Sequence, residues 1–406
     1  MIKNISSYLQ RVYLHVSCLV CGIFCNKNSK KFIIFASSNG RMFSDNSKYL
    51  FKWFVKHRAD ENPIWVTRNQ DVYEQLKLEG YPVALASSYK ICCLLHQAKL
   101  AVFTHSLFDF TITPKIIPKD LRLVALRHGK SVKRVRYARK GHKITSKEQR
   151  FRDKESSLIK FAISTSDFIS NIQDECLQLG RDKHIVTGYP RNDIFYSDKE
   201  FKGQWAQFLA NKMYKRVILY APSWRHGREP TRLFPFVDFR HDKLFGLLEE
   251  NEIILLIRLH PNDFNNKNEM HLFAKELTGL SNNIRIACNK IFPDVNEMLP
   301  FVDVLISDYS AIYHDFLLLD RPLMFIPYDY ADFERENGFL YDYFENLPGP
   351  AISSFEDFIG HIILLMEGVD SYAEKRRRLA DQVHAYKDGK SCERVAHLID
   401  SVLNNQ

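Results

Sequence analysis

The 406-residue sequence predicts two α/β domains, each a parallel β-sheet covered by helices, facing one another across a central cleft. Three observations predict this. Short apolar runs of strand length alternate with helix-length segments, the pattern of strands buried on both faces. The chain is long for a single core and suits two of ordinary size. Chemically unusual residues collect directly after the apolar runs, where open α/β sheets bind ligands.

The first series of runs is Phe32–Ala36, Leu100–Phe103, Leu121–Leu126, Phe161–Ser164 and Ile185–Thr187. The second is Val217–Tyr220, Ile253–Ile257, Ile284–Ala287, Val304–Ile306 and Leu323–Ile326. The polar stretch Ser197–Lys215 separates them. It divides the chain into an N-terminal apolar and basic segment 1–30, a Rossmann-like domain 31–196 and a second Rossmann-like domain 197–406, a GT-B-like arrangement.

Hydrophobic residues at 45% and charged residues at 26% describe a globular chain, not a disordered one. Lys plus Arg (57) exceed Asp plus Glu (48), for a net charge of +9. That excess suits a phosphate polymer, a nucleotide or anionic lipid headgroups without choosing among them. Cysteines stand at 18, 21, 25, 92, 93, 176, 288 and 392. No second pair has zinc-site spacing to match Cys18-x-x-Cys21, so no metal ligand is expected, and reduced cytosolic thiols are the default.

The segment Val12–Cys25 is largely apolar, with Lys3 and Arg11 before it and Lys27, Lys30 and Lys31 after. It is shorter than the roughly 20 residues that span a bilayer and lacks a small-residue cleavage site. A helix packed on the body or lying at a membrane interface fits it.

Five polar motifs follow strand-like runs. Asp308-Tyr-Ser310 precedes Ala311–Leu319, which reads as a helix with Ile312, Phe316 and Leu319 on one face. Its first backbone N–H groups would cradle a phosphate, although Asp308 or Ser310 would equally serve as a simple N-cap. His128 stands beside Gly129, which permits close backbone approach, and His260 is stiffened by Pro261. Either imidazole suits a general base or, protonated, a phosphate ligand. His105, His142, His226 and His314 are weaker candidates. The remaining motifs are Gly188-Tyr-Pro-Arg191-Asn-Asp193 and Ala221-Pro222-Ser-Trp224-Arg225, with Arg258 two residues before His260. Between Arg127 and Lys143 lie eight Lys or Arg residues and no acid. That run reads as a cationic surface for a polyanionic acceptor, or as a plain solvated face. Lys375–Arg378 reads as an ordinary basic helix face.

With these motifs in hand, the chain resembles the CDP-glycerol glycerophosphotransferase family of teichoic-acid and capsule polymerases, from about Ile33 to Ala396. The resemblance rests on Ser38-Asn-Gly40 with Ser44-Asp-Asn46, His128-Gly129…Lys133, Gly188–Asp193, Tyr220–Arg225 and Arg258–Pro261. Its most specific stretch is Ser307–Tyr343, and Asp388-Gly389 with Glu393-Arg394-Val395 matches the family's ending. Two departures stand out: His128-Gly-Lys-Ser-Val-Lys133 replaces His-Gly-Thr-Pro-Leu-Lys, and Ala311 replaces the second serine after Asp-Tyr-Ser.

The resemblance implies a GT-B fold, with CDP-glycerol bound by the C-terminal domain and the acceptor facing the N-terminal one. It implies in-line attack of an acceptor hydroxyl on phosphorus with release of CMP. Catalytic roles then fall to His128 and His260. Substrate binding falls to Gly129, Lys133, Arg191, Asp193, Pro222, Trp224, Arg225, Arg258, Asp308, Ser310 and Asp315. No cofactor is implied beyond a divalent cation such as Mg2+ assisting the diphosphate. The implied partners are a lipid-linked or polyanionic glycan acceptor and the inner face of the cell membrane, approached from the cytoplasm, and no nucleic acid. Two other chemistries fit the fold: transfer from a nucleotide sugar, and transfer of ribitol phosphate from CDP-ribitol.

Overall fold

The computed structural model describes residues 2–24, 31–129, 132–141, 143–197, 202–225, 231–260, 263 and 269–404. Cys25, Lys27, Lys30, His142, His226 and Pro261 lie outside the described residues. Among the described residues, twelve strands form two sheets. The strands are β1 (Phe32–Phe35), β2 (Pro63–Thr67), β3 (Val83–Leu85), β4 (Ala98–Phe103), β5 (Leu123–Ala125) and β6 (Ile159–Ser164). They continue with β7 (His184–Val186), β8 (Arg216–Tyr220), β9 (Ile253–Ile257), β10 (Ile284–Ile286), β11 (Val304–Ser307) and β12 (Leu323–Phe325). All pairings between them are parallel.

The first sheet runs β3-β2-β1-β4-β5-β6-β7 and the second β10-β9-β8-β11-β12. Both faces are covered, and the alternation of side chains shows it. Ile33 and Phe35 of β1 pack with Leu50 and Phe54 on one side. Ile34 and Ala36 pack with Ile91 and Leu95 on the other. In β8, Val217 and Leu219 face one core while Ile218 and Tyr220 face another. Such strands read as continuous apolar runs because neither face meets water. β2 and β3 escaped the sequence reading: β2 opens on Pro63, which a strand tolerates at its first position, and β3 is three residues long.

Strand order reverses between β1 and β4 in one sheet and between β8 and β11 in the other. Chains leaving these paired strands turn opposite ways and open a crevice at their carboxyl ends. Ser38 and His105 sit beyond one such crevice, and Pro222 and Ser310 beyond the other.

Two expectations need correcting. Residues 197–406 do not all stay with the second sheet. The last helix, Ser391–Asn404, lays Cys392, Val395, Ala396 and Ile399 against the first core. Asp193 fastens it there, accepting from Ser391 N at 2.9 Å and Cys392 N at 2.8 Å. The helix expected over Ala311–Leu319 is α-helical only for Ile312–Phe316, then 3-10 for Leu317–Leu319. Asp320 adopts a left-handed φ of 47° and stops it. So short a helix carries little aligned dipole, which weakens the phosphate-cradle argument.

The N-terminal helix, Ile2–Phe24, packs one face on the body, the first of the two readings of its segment. Leu14, Cys18 and Cys21 are buried against Ile91, Cys92, Leu95 and Ile116. Leu9, Val12, Val16, Leu19, Val20 and Ile23 face outward. Among the described residues, no helix is long and apolar enough to cross a membrane.

Candidate active site

A cleft of about 640 Å3 lies where the two switch points meet. Ten of the expected residues line it: His128, Gly129, Lys133, Arg191, Pro222, Trp224, Arg258, His260, Ser310 and Asp315. Asp193, Arg225 and Asp308 do not, and their expected substrate contacts are corrected here. Asp193 caps the last helix. Arg225 and Asp308 form a layer behind the cleft wall: Arg225 Nη1 donates to Asp308 Oδ2 at 2.8 Å and Nε to Asp329 Oδ2 at 2.7 Å. Asp308 also accepts from Ser223 N at 2.9 Å, which fixes the Pro222–Trp224 turn. Its charge is therefore spent on scaffolding and not on a ligand.

On the first-domain wall, His128 stacks on His105 with ring centroids 4.3 Å apart and 21° between planes. His128 is exposed to the open cleft, although the cleft walls crowd its ring from several sides. Burial, followed by the charges of His105, Arg191, Arg136 and Arg127, holds its pKa well below that of an ordinary imidazole. The ring is thus neutral and able to accept a proton near pH 7. His105 is itself set by neighbours: its Nδ1 accepts from Ser38 N at 3.3 Å, and its backbone N–H donates to buried Asp109 at 2.9 Å. Gly129 has a φ of +105°, and a Cβ there would lie 2.5 Å from Arg191 Nη2. Only glycine lets this loop rest on the guanidinium.

Arg191 is not free for a phosphate. Nη1 meets Asp45 Oδ1 at 2.9 Å and Nη2 meets Asp315 Oδ2 at 2.7 Å. Asn192 donates to Asp315 Oδ1 at 3.1 Å, and Asn296 donates to Asn192 Oδ1 at 3.1 Å. Asp45 N donates to Asp294 Oδ2 at 2.7 Å, and a buried pair joins Lys48 to Glu297. These bonds tie the two domains together at the floor of the cleft. The Ser44-Asp-Asn46 motif thereby acquires a role: Asn46 donates to the Leu126 and Arg127 carbonyls and so holds the His128 loop.

On the opposite wall, His260 stacks on Trp224 at 5.4 Å with 11° between planes. Arg258 donates to the carbonyls of Ala287 at 3.2 Å and Phe292 at 3.0 Å. Burial lowers its pKa to about 10, so it remains charged. Ser310 Oγ lies 3.5 Å from Ile312 N. Lys133 Nζ sits 5.6 Å from the centre of the Phe333 ring.

Part of the acid-free run from Arg127 to Lys143 is committed within the protein, while Arg139, Lys140 and Lys143 are exposed. Arg127 is buried. Arg134 bonds to Phe339 O and Glu175, Arg136 to His105 O and Glu155, and Lys140 to Glu334. Arg134 N and Leu340 N complete a short backbone pairing with Gly338 O and Val132 O. The run straps the first domain to the second. The Lys375–Arg378 face is likewise occupied, with Arg376 buried against Asp320 and Asp370.

Sequence reasoning ranked His105 too low, gave Asp45 only as part of a motif and Arg136 only as part of the basic run, and missed Asp294 and Asn296, all of which line the cleft. His105 follows the Leu100–Phe103 run, so the strand-end rule would have found it. Among the described residues, no group of three or more His, Cys, Asp or Glu could hold a metal ion.

Two parallel-sheet domains with paired switch points, imidazoles on both walls and cationic side chains between them define a two-domain transferase built for an anionic nucleotide donor. The chain belongs to the CDP-glycerol:poly(glycerophosphate) glycerophosphotransferase family, which it matches over residues 20–401. It is 27% identical over 414 residues to a teichoic acid glycerol-phosphate transferase of Staphylococcus aureus, covering 98% of this chain and 100% of that protein. It is 25% identical over 388 residues to a teichoic acid poly(glycerol phosphate) polymerase of Staphylococcus epidermidis, covering 93% of this chain and 51% of that one. Among solved structures, the wall teichoic acid polymerase TagF superposes with a TM-score of 0.77 at 22% identity, covering 100% of this chain and 96% of that one. That likeness shows the fold. The chain is a glycerophosphotransferase.

Proposed function

We propose that this cleft moves glycerol phosphate from CDP-glycerol to a hydroxyl of a lipid-linked glycan or polyol-phosphate acceptor at the inner face of the cell membrane. The observation that carries the reading is a neutral imidazole, His128, facing a second imidazole wall, His260 on Trp224, across one cleft. The acceptor oxygen attacks the glycerol-bearing phosphorus, its proton passes to His128, and the bond to CMP breaks with the electron pair leaving on CMP. His260, Ser310 and the charge of Arg258 offset the negative charge that grows on the phosphate oxygens. Arg258 acts through its field, since its donors are partly committed to carbonyls. With no carboxylate cluster among the described residues, Mg2+ would be carried by the donor's diphosphate.

The outward apolar ridge of the N-terminal helix supports peripheral attachment. Wall teichoic acid and capsular polymer are the two pathways this acceptor chemistry fits. The test is to incubate the purified protein with CDP-glycerol, CDP-ribitol or UDP-sugars plus acceptor. CMP from CDP-glycerol is expected; UDP from a UDP-sugar, with CDP-glycerol inert, refutes the reading.

A further inference from the structure

Away from the cleft, the helices Ile2–Phe24 and Lys90–Gln97 bring four thiols and an imidazole into one seam. Cys18 and Cys21, one turn apart, meet Cys92, Cys93 and His96. Cys21 Sγ lies 2.8 Å from Cys93 Sγ, and Cys18 Sγ lies 3.3 Å from His96 Nε2. Cys92 Sγ donates to Leu14 O at 3.5 Å. Gly22 makes room for the ring, since a Cβ there would stand 3.2 Å from His96 Cε1. Hydrogen bonding to Cys92, and then to His96 against the effect of burial, lowers the Cys18 thiol to about 5. This is an environment that sustains thiolate chemistry. Among the described residues, no three such groups are placed to hold a metal.

We propose that Cys21 and Cys93 are a modification site, closing to a reversible disulfide on contact with a hydroperoxide and fastening the N-terminal helix to the body. Cys93 is partly accessible, whereas Cys21 is buried. The Cys93 thiolate therefore attacks the peroxide oxygen first. The O–O bond breaks, the alcohol (or water) leaves, and Cys93 is left as a sulfenic acid. The Cys21 sulfur then attacks the sulfenyl sulfur. The S–S bond forms, the S–O bond breaks, and the departing hydroxide takes the Cys21 proton as water. Two thiols and one hydroperoxide thus give one disulfide, one alcohol and one water, with two electrons passing from sulfur to oxygen. The outward ridge of the helix sits on the same element as Cys21, so oxidation would fix that ridge in place.

The experiment treats the full-length protein with hydrogen peroxide, alkylates it, digests it with trypsin without reductant and weighs the peptides. A linked pair joining residues 12–27 to residues 91–99 is expected, lighter by two hydrogens and separated by dithiothreitol. It should vanish in Cys21→Ser and in Cys93→Ser, and persist in Cys18→Ser. No linked pair in the unaltered protein, its survival in Cys93→Ser, or its loss in Cys18→Ser would overturn the proposal. So would a stoichiometric zinc ion that blocks oxidation.

Discussion

His105 lies face to face with His128, its ring centroid 4.3 Å away, so a proton taken up by His128 would sit against a second imidazole. Together with burial, this keeps His128 neutral. Turnover at saturating substrate is therefore expected to hold as pH falls from about 7.5 to about 6, where an ordinary imidazole of about 6.5 would be mostly protonated. Replacing His105 with Ala removes one source of positive charge and should move the acid limb to higher pH. A pH–rate profile reads both effects, and an acid limb near 6.5 in the unaltered enzyme would contradict the assignment.

His128→Ala should lower turnover by about a thousandfold, on the order of 4 kcal/mol, while donor binding stays near normal. His260→Ala should lower turnover and weaken the donor as well, because it faces the transferring phosphate. Calorimetric titration with CDP-glycerol beside steady-state kinetics separates the two. Near-normal turnover in His128→Ala would remove it from the mechanism.

Asp315→Ala leaves the buried Arg191 with one carboxylate where it had two. Breaking a buried pair in this way costs about 3–5 kcal/mol, so thermal stability should drop sharply. Asp315→Asn, which keeps the bond to Asn192 within reach, should lose less. Differential scanning calorimetry of the two variants checks the order.

His184 and His384 are both held down to about 4, mainly by burial, from an ordinary 6.5. The unfolded chain therefore binds more protons than the fold between about 6.5 and 4, and stability must fall as pH falls through that window. At pH about 5, each should cost on the order of 1–2 kcal/mol. His384→Gln should flatten the slope of denaturant midpoint against pH. An unchanged slope would mean that His384 is already protonated in the fold.

Replacing outward Leu9, Val16, Leu19 and Ile23 with Gln leaves the packed face of the N-terminal helix intact. These changes should release the protein from anionic vesicles in sedimentation without altering turnover on a soluble acceptor. Vesicle binding that survives all four would place attachment elsewhere. Deleting residues 1–28 is a poorer test, since it also uncovers Ile91 and Leu95.

The ten apolar runs each fall on a strand because strands buried on both faces announce themselves in one dimension. Ten of the thirteen expected site residues line the cleft for a related reason: strand ends of parallel sheets converge. What the chain did not disclose was pairing. Asp45, Arg191 and Asp315 are far apart in sequence, and nothing local says that Arg191 will be taken by two carboxylates before any phosphate arrives. In the run from Arg127 to Lys143 the partners of Arg134, Arg136 and Lys140 were hidden for the same reason, since Glu175, Glu155 and Glu334 all lie outside it. Asp193 sat in a suggestive motif, but its partner is a helix almost two hundred residues later.

The helix Ser391–Asn404 bears on how the molecule is made. Ile33, Phe35 and Leu50 leave the ribosome more than three hundred residues before Val395 and Ile399, which share their core. The first sheet must wait, one flank bare, while the whole second sheet is built, so the two halves cannot mature one after the other. Cutting the chain between them would give an amino-terminal piece with an unfinished flank, prone to stick to its own kind.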